Sequence, residues 1–543
     1  MKTFRLRCFF ALGSLALPLV ACGNGGNSSA PGDSGSTPVS DWPSYGHDGQ
    51  NTRYNAVESI ITKSNVGALV RKWDTVSTGI TALGVTSTPA VVDGVVYFGD
   101  WGGMLHAVNA TDGSKVWTTQ VASSTVGLPA QVNDSPFVTA DSVYIGGANN
   151  EVYGVSRSSG QPLWNLRHEI GSQQNTVLWS SPNVVGNTML IGVGSFQVFT
   201  AANFTFKGNV VGVNATTGAV EWTTYLCGGN DASSGFGCSV WGSAAVDTTR
   251  GWMFIGVGQG YTAPVSPYSD SVVALDYTTG AIKWGYQYTA DDIYTLMTMP
   301  NGDDYDVGAS PVLYTIGSQD YIGAGDKGGH FKAMDRSTGK LLWSQELTPG
   351  GQTGGVMASP AVADGKIYVY SNNGSKGNYG TNGPASGVAF CLDGATGNID
   401  WQVPMTPGAF GGIAIANGVM FFETLDGKIH ALDADTGDEL WNDLLMNETA
   451  TTAAAGVSVA NGMVFAGAGW QWLPTSSPAG GLTAYGLPDD IEDAQFWGPA
   501  DGATDAPSDV VTNTQVDSAA DSGVADSGLP DVVTDALAPA DGD

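Results

Sequence analysis

Asp93-Gly94-Val95-Val96-Tyr97-Phe98-Gly99-Asp100, then Leu105-His106-Ala107-Val108-Asn109-Ala110-Thr111-Asp112-Gly113, then Lys115-Val116-Trp117, is one complete copy of a unit that recurs along most of the chain. The first block reads as a strand entered through an Asp-Gly turn. The second is a strand that ends in a turn whose Gly takes positive φ. The third is a strand closed by Trp. Three or four short strands joined by tight turns leave no room for helices. The strand before the Gly recurs at Val143-Tyr144-Ile145, Met189-Leu190-Ile191, Met253-Phe254-Ile255, Tyr321-Ile322, Ile367-Tyr368-Val369, Val419-Met420-Phe421 and Met463-Val464-Phe465, which with Tyr97 makes eight. The closing Trp recurs at Trp117, Trp164, Trp222, Trp284, Trp343, Trp401 and Trp441, which makes seven.

The eighth unit stops at Leu482-Thr483-Ala484-Tyr485-Gly486 without its Trp strand, and an orphan Trp strand, Leu69-Val70-Arg71-Lys72-Trp73, stands at the front. Joining the two closes a ring. The sequence therefore predicts an all-β, eight-bladed β-propeller over residues 41–487, its last blade completed by an N-terminal strand. Closure removes exposed sheet edges, and stacking buries the faces that a single blade leaves open. The repeat Trp residues read as blade-packing residues.

Composition agrees: 13% charged residues, 77 Gly and 16 Trp suit short strands and tight turns. A net charge of −31 excludes binding to nucleic acid through phosphate neutralisation. Residues 488–543 contain no Lys or Arg and read as a disordered acidic tail, or as one that binds a partner or cation. At the other end, Lys2, Arg5 and Arg7 precede an apolar run too short to span a membrane, which predicts a signal peptide over residues 1–21. Leu19-Val20-Ala21-Cys22-Gly23 resembles the bacterial lipobox. That resemblance implies lipidation of Cys22, a flexible tether over 22–40 and a lipid-anchored place in the cell envelope, facing the periplasm or in the outer membrane. Cys227 and Cys238 flank a Gly-rich loop and predict a local disulfide, while Cys391 lies in a strand and reads as a buried thiol. No Cys-x-x-Cys-His occurs, so the sequence encodes no covalently attached haem.

The closing Trp with its Asp-x-x-x-Gly turn resembles the tryptophan-docking repeat of the pyrroloquinoline quinone (PQQ) dehydrogenases. Asp41-Trp42-Pro43-Ser44-Tyr45-Gly46-His47-Asp48, with Asn51-Thr52-Arg53-Tyr54-Asn55, looks like the opening of the alcohol dehydrogenases of that family. Phe98-Gly99-Asp100-Trp101-Gly102-Gly103 and Val240-Trp241-Gly242-Ser243 are most similar to its polyvinyl-alcohol dehydrogenase branch. The resemblance implies PQQ as cofactor, a Ca²⁺ beside it, an alcohol substrate that could be polymeric, and an external electron acceptor such as a cytochrome c. It places the floor under PQQ at Trp241, the catalytic Asp at Asp306, and the cation near the quinone oxygens at Lys327. Each also has a bland reading, as core, turn cap and solvated turn residue.

The departures are specific. The family's metal-ligating Glu falls on Gln197 and its Asn on Gln259, so the implied metal set is Gln197, Gln259 and Asp306, with one carboxylate fewer. Ala122-Ser123-Ser124 stands where many members carry adjacent cysteines, and Asn133 where an Arg is common. That leaves Lys207 and Lys327 as the nearest positive partners for a polyanionic cofactor. An insertion over 198–206 brings Phe199, Phe204 and Phe206, which either receive substrate or pack over the funnel. Two functions remain open: a PQQ-dependent alcohol dehydrogenase, or a non-catalytic propeller that scaffolds other cell-envelope proteins, as the outer-membrane assembly lipoproteins do.

Overall fold

The computed structural model describes residues 40–123, 131–147, 151–166, 176–199, 204–228, 235–296, 302–374, 386–446, 452–469 and 480–489. The signal segment, Cys22, the tether up to residue 39 and the acidic stretch from residue 490 lie outside these.

Eight sheets follow one another along the chain, antiparallel except that Tyr54–Asn55 joins the seventh as a parallel strand beside Ala414–Ala416. The first comprises Ala90–Val92, Val95–Gly99, Met104–Asn109 and Lys115–Gln120, running from the innermost strand outward. The innermost strand of this blade packs against that of the second, Phe137–Val138, and that of the eighth, Ser458–Ala460, so the ring is closed. The eighth blade takes its outermost strand from the front of the domain: Val70–Asp74 pairs antiparallel with Gly481–Gly486, setting Trp73 opposite Ala484.

The repeat motif has a packing cause. In each blade the closing Trp faces a small residue on the next strand inward, such as Ala107 opposite Trp117 and Gly154 opposite Trp164. Cys391 fills that slot opposite Trp401, which accounts for its burial. The indole then reaches the following blade. Trp73 Nε1 donates to the Ala110 carbonyl at 2.8 Å, Trp117 Nε1 to Arg157 at 2.8 Å and Trp401 Nε1 to Ala434 at 2.9 Å, and four more blades repeat the bond. The ring lies on the turn Gly of that blade. Gly397 has φ +76°, and a Cβ there would sit 2.4 Å from the Trp343 ring, so only Gly meets both demands. Trp441 is the exception: it meets Tyr485 edge-on at 5.0 Å, because the eighth blade's outermost strand comes from elsewhere and brings no such turn.

A second relay links the blades nearer the axis. The Thr88 N–H donates to Ser135 Oγ, Ser135 to Ser181, Ser181 to Ser243, Ser243 to Ser310 and Ser310 to Ser359, at 2.8–3.1 Å. Where the hydroxyls run out, Arg53 takes over. Its fully buried guanidinium donates to the carbonyls of Tyr45, Gly412, Ile413 and Val457. Residues 42–55 as a whole form a plug that bonds to the innermost strand of every blade. Trp42 exchanges two bonds with Val91, and the carbonyls of Pro43, Gly49, Gln50, Thr52 and Arg53 accept from Val138, Val246, Leu313, Val362 and Ile415. Asn183 donates to Gly49, and Asn55 to the Val459 carbonyl.

Candidate active site

A cavity of about 830 Å³ occupies the centre of the ring, its wall running from Thr86 before the first blade to Ala455 before the eighth. Tyr45 of the plug forms part of its wall. Trp101, Trp179, Phe196, Phe199, Leu296 and Phe410 give it a largely apolar lining. Trp241 lies against Gly308, where a Cβ would sit 1.7 Å from the indole. The bare backbone there lets the ring pack directly on the chain and present a face to the cavity.

Asp306 and Lys327 meet on the wall of the same cavity. Lys327 Nζ lies 2.9 Å from Asp306 Oδ2 and 3.0 Å from Asp304 Oδ1. The main chain fixes their approach, since the Lys327 N–H donates to the Asp306 carbonyl at 2.9 Å. Asp306 Oδ1 accepts the Gln259 backbone N–H at 2.7 Å. With its amide oriented by its neighbours, the Gln259 side chain also donates to both Asp306 oxygens. Burial works against charge on Lys327, but Asp304 and Asp306 outweigh it and hold the ammonium well above the usual lysine range. Burial also pushes the Asp304 carboxyl up, opposed by Lys327 and reinforced by Asp306. The loop that carries both aspartates is held from below by Asp292, whose oxygens accept the N–H groups of Asp303 and Tyr305 at 3.0 and 2.9 Å. A carboxylate and a fixed ammonium side by side, on a cavity wall that also carries Trp241, can take up a proton and polarise a carbonyl in one place.

A family model described as the glucose/ethanol/alcohol dehydrogenase β-propeller domain, the PQQ model, matches residues 42–349. The chain belongs to this family. A second model, outer membrane protein assembly factor BamB, matches residues 327–485. The polyvinylalcohol dehydrogenase of Sphingopyxis sp. (strain 113P3) is 25% identical over 450 residues, which are 72% of this chain and 67% of that protein. The quinohemoprotein alcohol dehydrogenase of Comamonas testosteroni is 26% identical over 347 residues, 57% of this chain but 47% of the relative. The crystal structure of that enzyme superposes with a TM-score of 0.65 at 20% identity, covering 82% of this chain and 80% of the other. A europium-containing methanol dehydrogenase gives 0.67 at 17% identity, covering 82% and 98%. These likenesses bear on the fold.

Against the PQQ dehydrogenase pattern, the structure gathers Trp241, Gln259, Asp306 and Lys327 at one cavity. Gln197 is not with them. It is buried beside the wall, and its Oε1 accepts the N–H groups of Thr205 and Phe206 at 2.8 and 3.0 Å, pinning the insertion. Lys207 also stands apart, its stem packed over Gly228 next to Cys227, which is disulfide-bonded to Cys238. The insertion divides its aromatics: Phe199 lines the cavity, while Phe204 and Phe206 pack on Tyr261. Asn133 lines the cavity and accepts from Thr86, which accepts from Trp101 Nε1 at 2.9 Å.

The cavity suits a flat, carbonyl-bearing group, with Trp241 as one face and Lys327 as donor. It does not suit a calcium ion. The Gln197 oxygen is committed to the insertion, and Lys327 already bridges the two carboxylates. Among the described residues, no three His, Cys, Asp or Glu are arranged to hold a metal. Sequence reading missed Asp304 and Asp292. The Asp-x-Asp spacing could have flagged the first, since residues two apart on extended chain share a side. Nothing local marks the second.

Proposed function

We propose that the chain is a PQQ-dependent alcohol dehydrogenase that hands electrons to a separate acceptor such as a cytochrome c. The observation that carries this reading is the Asp306–Lys327 pair on the wall of a central cavity that Trp241 also lines. PQQ, when bound, supplies a two-electron acceptor for the alcohol carbon. Trp241 and Lys327 would hold it, the one by its ring and the other by its charge, and Asp306 would take the hydroxyl proton of the alcohol. The apolar wall from Trp101 to Phe410 suits the carbon chain of a secondary or polymeric alcohol and excludes water from the reacting atoms.

The test is cofactor-induced stabilisation followed by turnover. PQQ should raise the thermal midpoint of the purified chain, by mass action on the folded state, and secondary alcohols should then reduce an artificial dye. If PQQ neither stabilises the chain nor supports dye reduction, with or without calcium, the scaffold reading replaces this one; the match of residues 327–485 to the assembly-factor model favours that alternative. The reading includes a lipid anchor at Cys22. Cells grown with radioactive palmitate should label the chain, and Cys22→Ala should abolish the label; an unlabelled wild-type chain would refute the anchor.

A further inference from the structure

We propose that this chain binds its quinone cofactor without a divalent metal, the Lys327 ammonium serving where a metal ion's charge would act; the inference rests on the quinoprotein reading above. The ammonium lies between two carboxylates whose side chains are 2% and 5% exposed, and is itself 12% exposed. A divalent ion placed on Asp306 would lie within a few ångströms of this cation, in surroundings too dry to screen the repulsion. To seat the ion, Lys327 would have to withdraw and leave Asp304 buried without its partner.

Among the described residues, the other positions of the family's ligand set are engaged elsewhere. Calcium takes six to eight oxygens, from carboxylates, carbonyls and amide groups. Asp306 already accepts from the Gln259 main chain and from Lys327. The Gln197 oxygen holds Thr205 and Phe206. Lysine, by contrast, can do the work itself. An ammonium has three donors. Two go to Asp304 and Asp306 here. The third is left for a cofactor carbonyl, and the position of the charge is set by the carboxylates beneath it. Lys327 is the one Lys or Arg on the cavity wall among the described residues, so a cofactor anion has no competing cation there.

The full chain, freed of metal by chelator, is titrated with PQQ while tryptophan fluorescence is followed, in chelator and again in millimolar calcium or lanthanum. The wild type is expected to bind PQQ with dissociation constants within about threefold of each other in all arms. Lys327→Ala is expected to bind at least ~10-fold more weakly in chelator, having lost a charge-assisted bond, and to recover in calcium, because Asp304 and Asp306 are then open to a cation. Lys327→Arg should stay metal-independent, and the thermal midpoint of each variant confirms that it folds. Three results would overturn the inference: wild-type binding that tightens more than about tenfold with calcium, one tightly held calcium per chain in the wild-type PQQ complex, or Lys327→Ala binding in chelator as well as the wild type does. Absence of PQQ binding by the wild type in every arm would instead remove the quinoprotein reading, and this inference with it.

Discussion

Asp306→Asn is expected to lower dye-linked alcohol oxidation by roughly 10²–10⁴-fold, the usual worth of a general base, while PQQ still binds. The side chains are nearly equal in size, so the loop pinned by Asp292 stays in place. What changes is chemistry. An amide cannot take the alcohol proton, and its nitrogen must face either the Lys327 ammonium or the Gln259 N–H groups, which are donors on both sides. Steady-state rates for wild type and variant, each saturated with PQQ, provide the measurement. A variant that keeps more than about a tenth of wild-type turnover would place the base elsewhere, and Asp304 is the next carboxylate on the cavity wall.

Arg53→Ala is expected to be the most damaging single change to stability. The guanidinium is fully buried and satisfies four main-chain carbonyls drawn from the plug and from the entries to the seventh and eighth blades. It also lies 4.8 Å from the Tyr45 ring centroid. Burial lowers its pKa to about 10, partly offset by Tyr45 and Glu423. Glu423 is itself fully buried and accepts N–H bonds from Ala455, Gly456 and Gly467. Truncation opens a void, orphans the carbonyls and leaves Glu423 without its nearby cation. Breaking one side of such a buried arrangement costs on the order of 3–5 kcal/mol. Denaturant unfolding followed by tryptophan fluorescence reads the loss. A change below about 1 kcal/mol would show that the plug merely rests in the ring.

The ring was legible because its signals are local. The Trp, the small residue opposite it and the turn Gly lie within a few strands of one another, and each blade repeats the same steric requirement. The closure at Trp73 could be counted for the same reason. Asp306, Lys327 and Trp241 could be singled out because short motifs carry them. Gln197 could not be read correctly, since its partners are the main-chain groups of Thr205 and Phe206, and only the folded insertion puts them in reach. Lys207 follows the same insertion away from the cavity wall. Asp292 acts through N–H groups more than ten residues along the chain, which no spacing rule reveals. The plug lies between these cases: residues 41–55 stood out as a motif, but their bonds to all eight blades are long-range facts.

The plug also governs traffic. A propeller open at both ends is a pipe, with an entrance and an exit. Here residues 42–55 are tied to every innermost strand and Tyr45 walls the cavity, so the segment stands across one side of the chamber. For the proposed oxidation of a polymeric alcohol, a segment standing there would keep a long chain from threading straight through, so that it would offer an end or a bent segment and its product would leave by the way it came. In such a chamber emptying, rather than chemistry, readily becomes the slow event in the cycle.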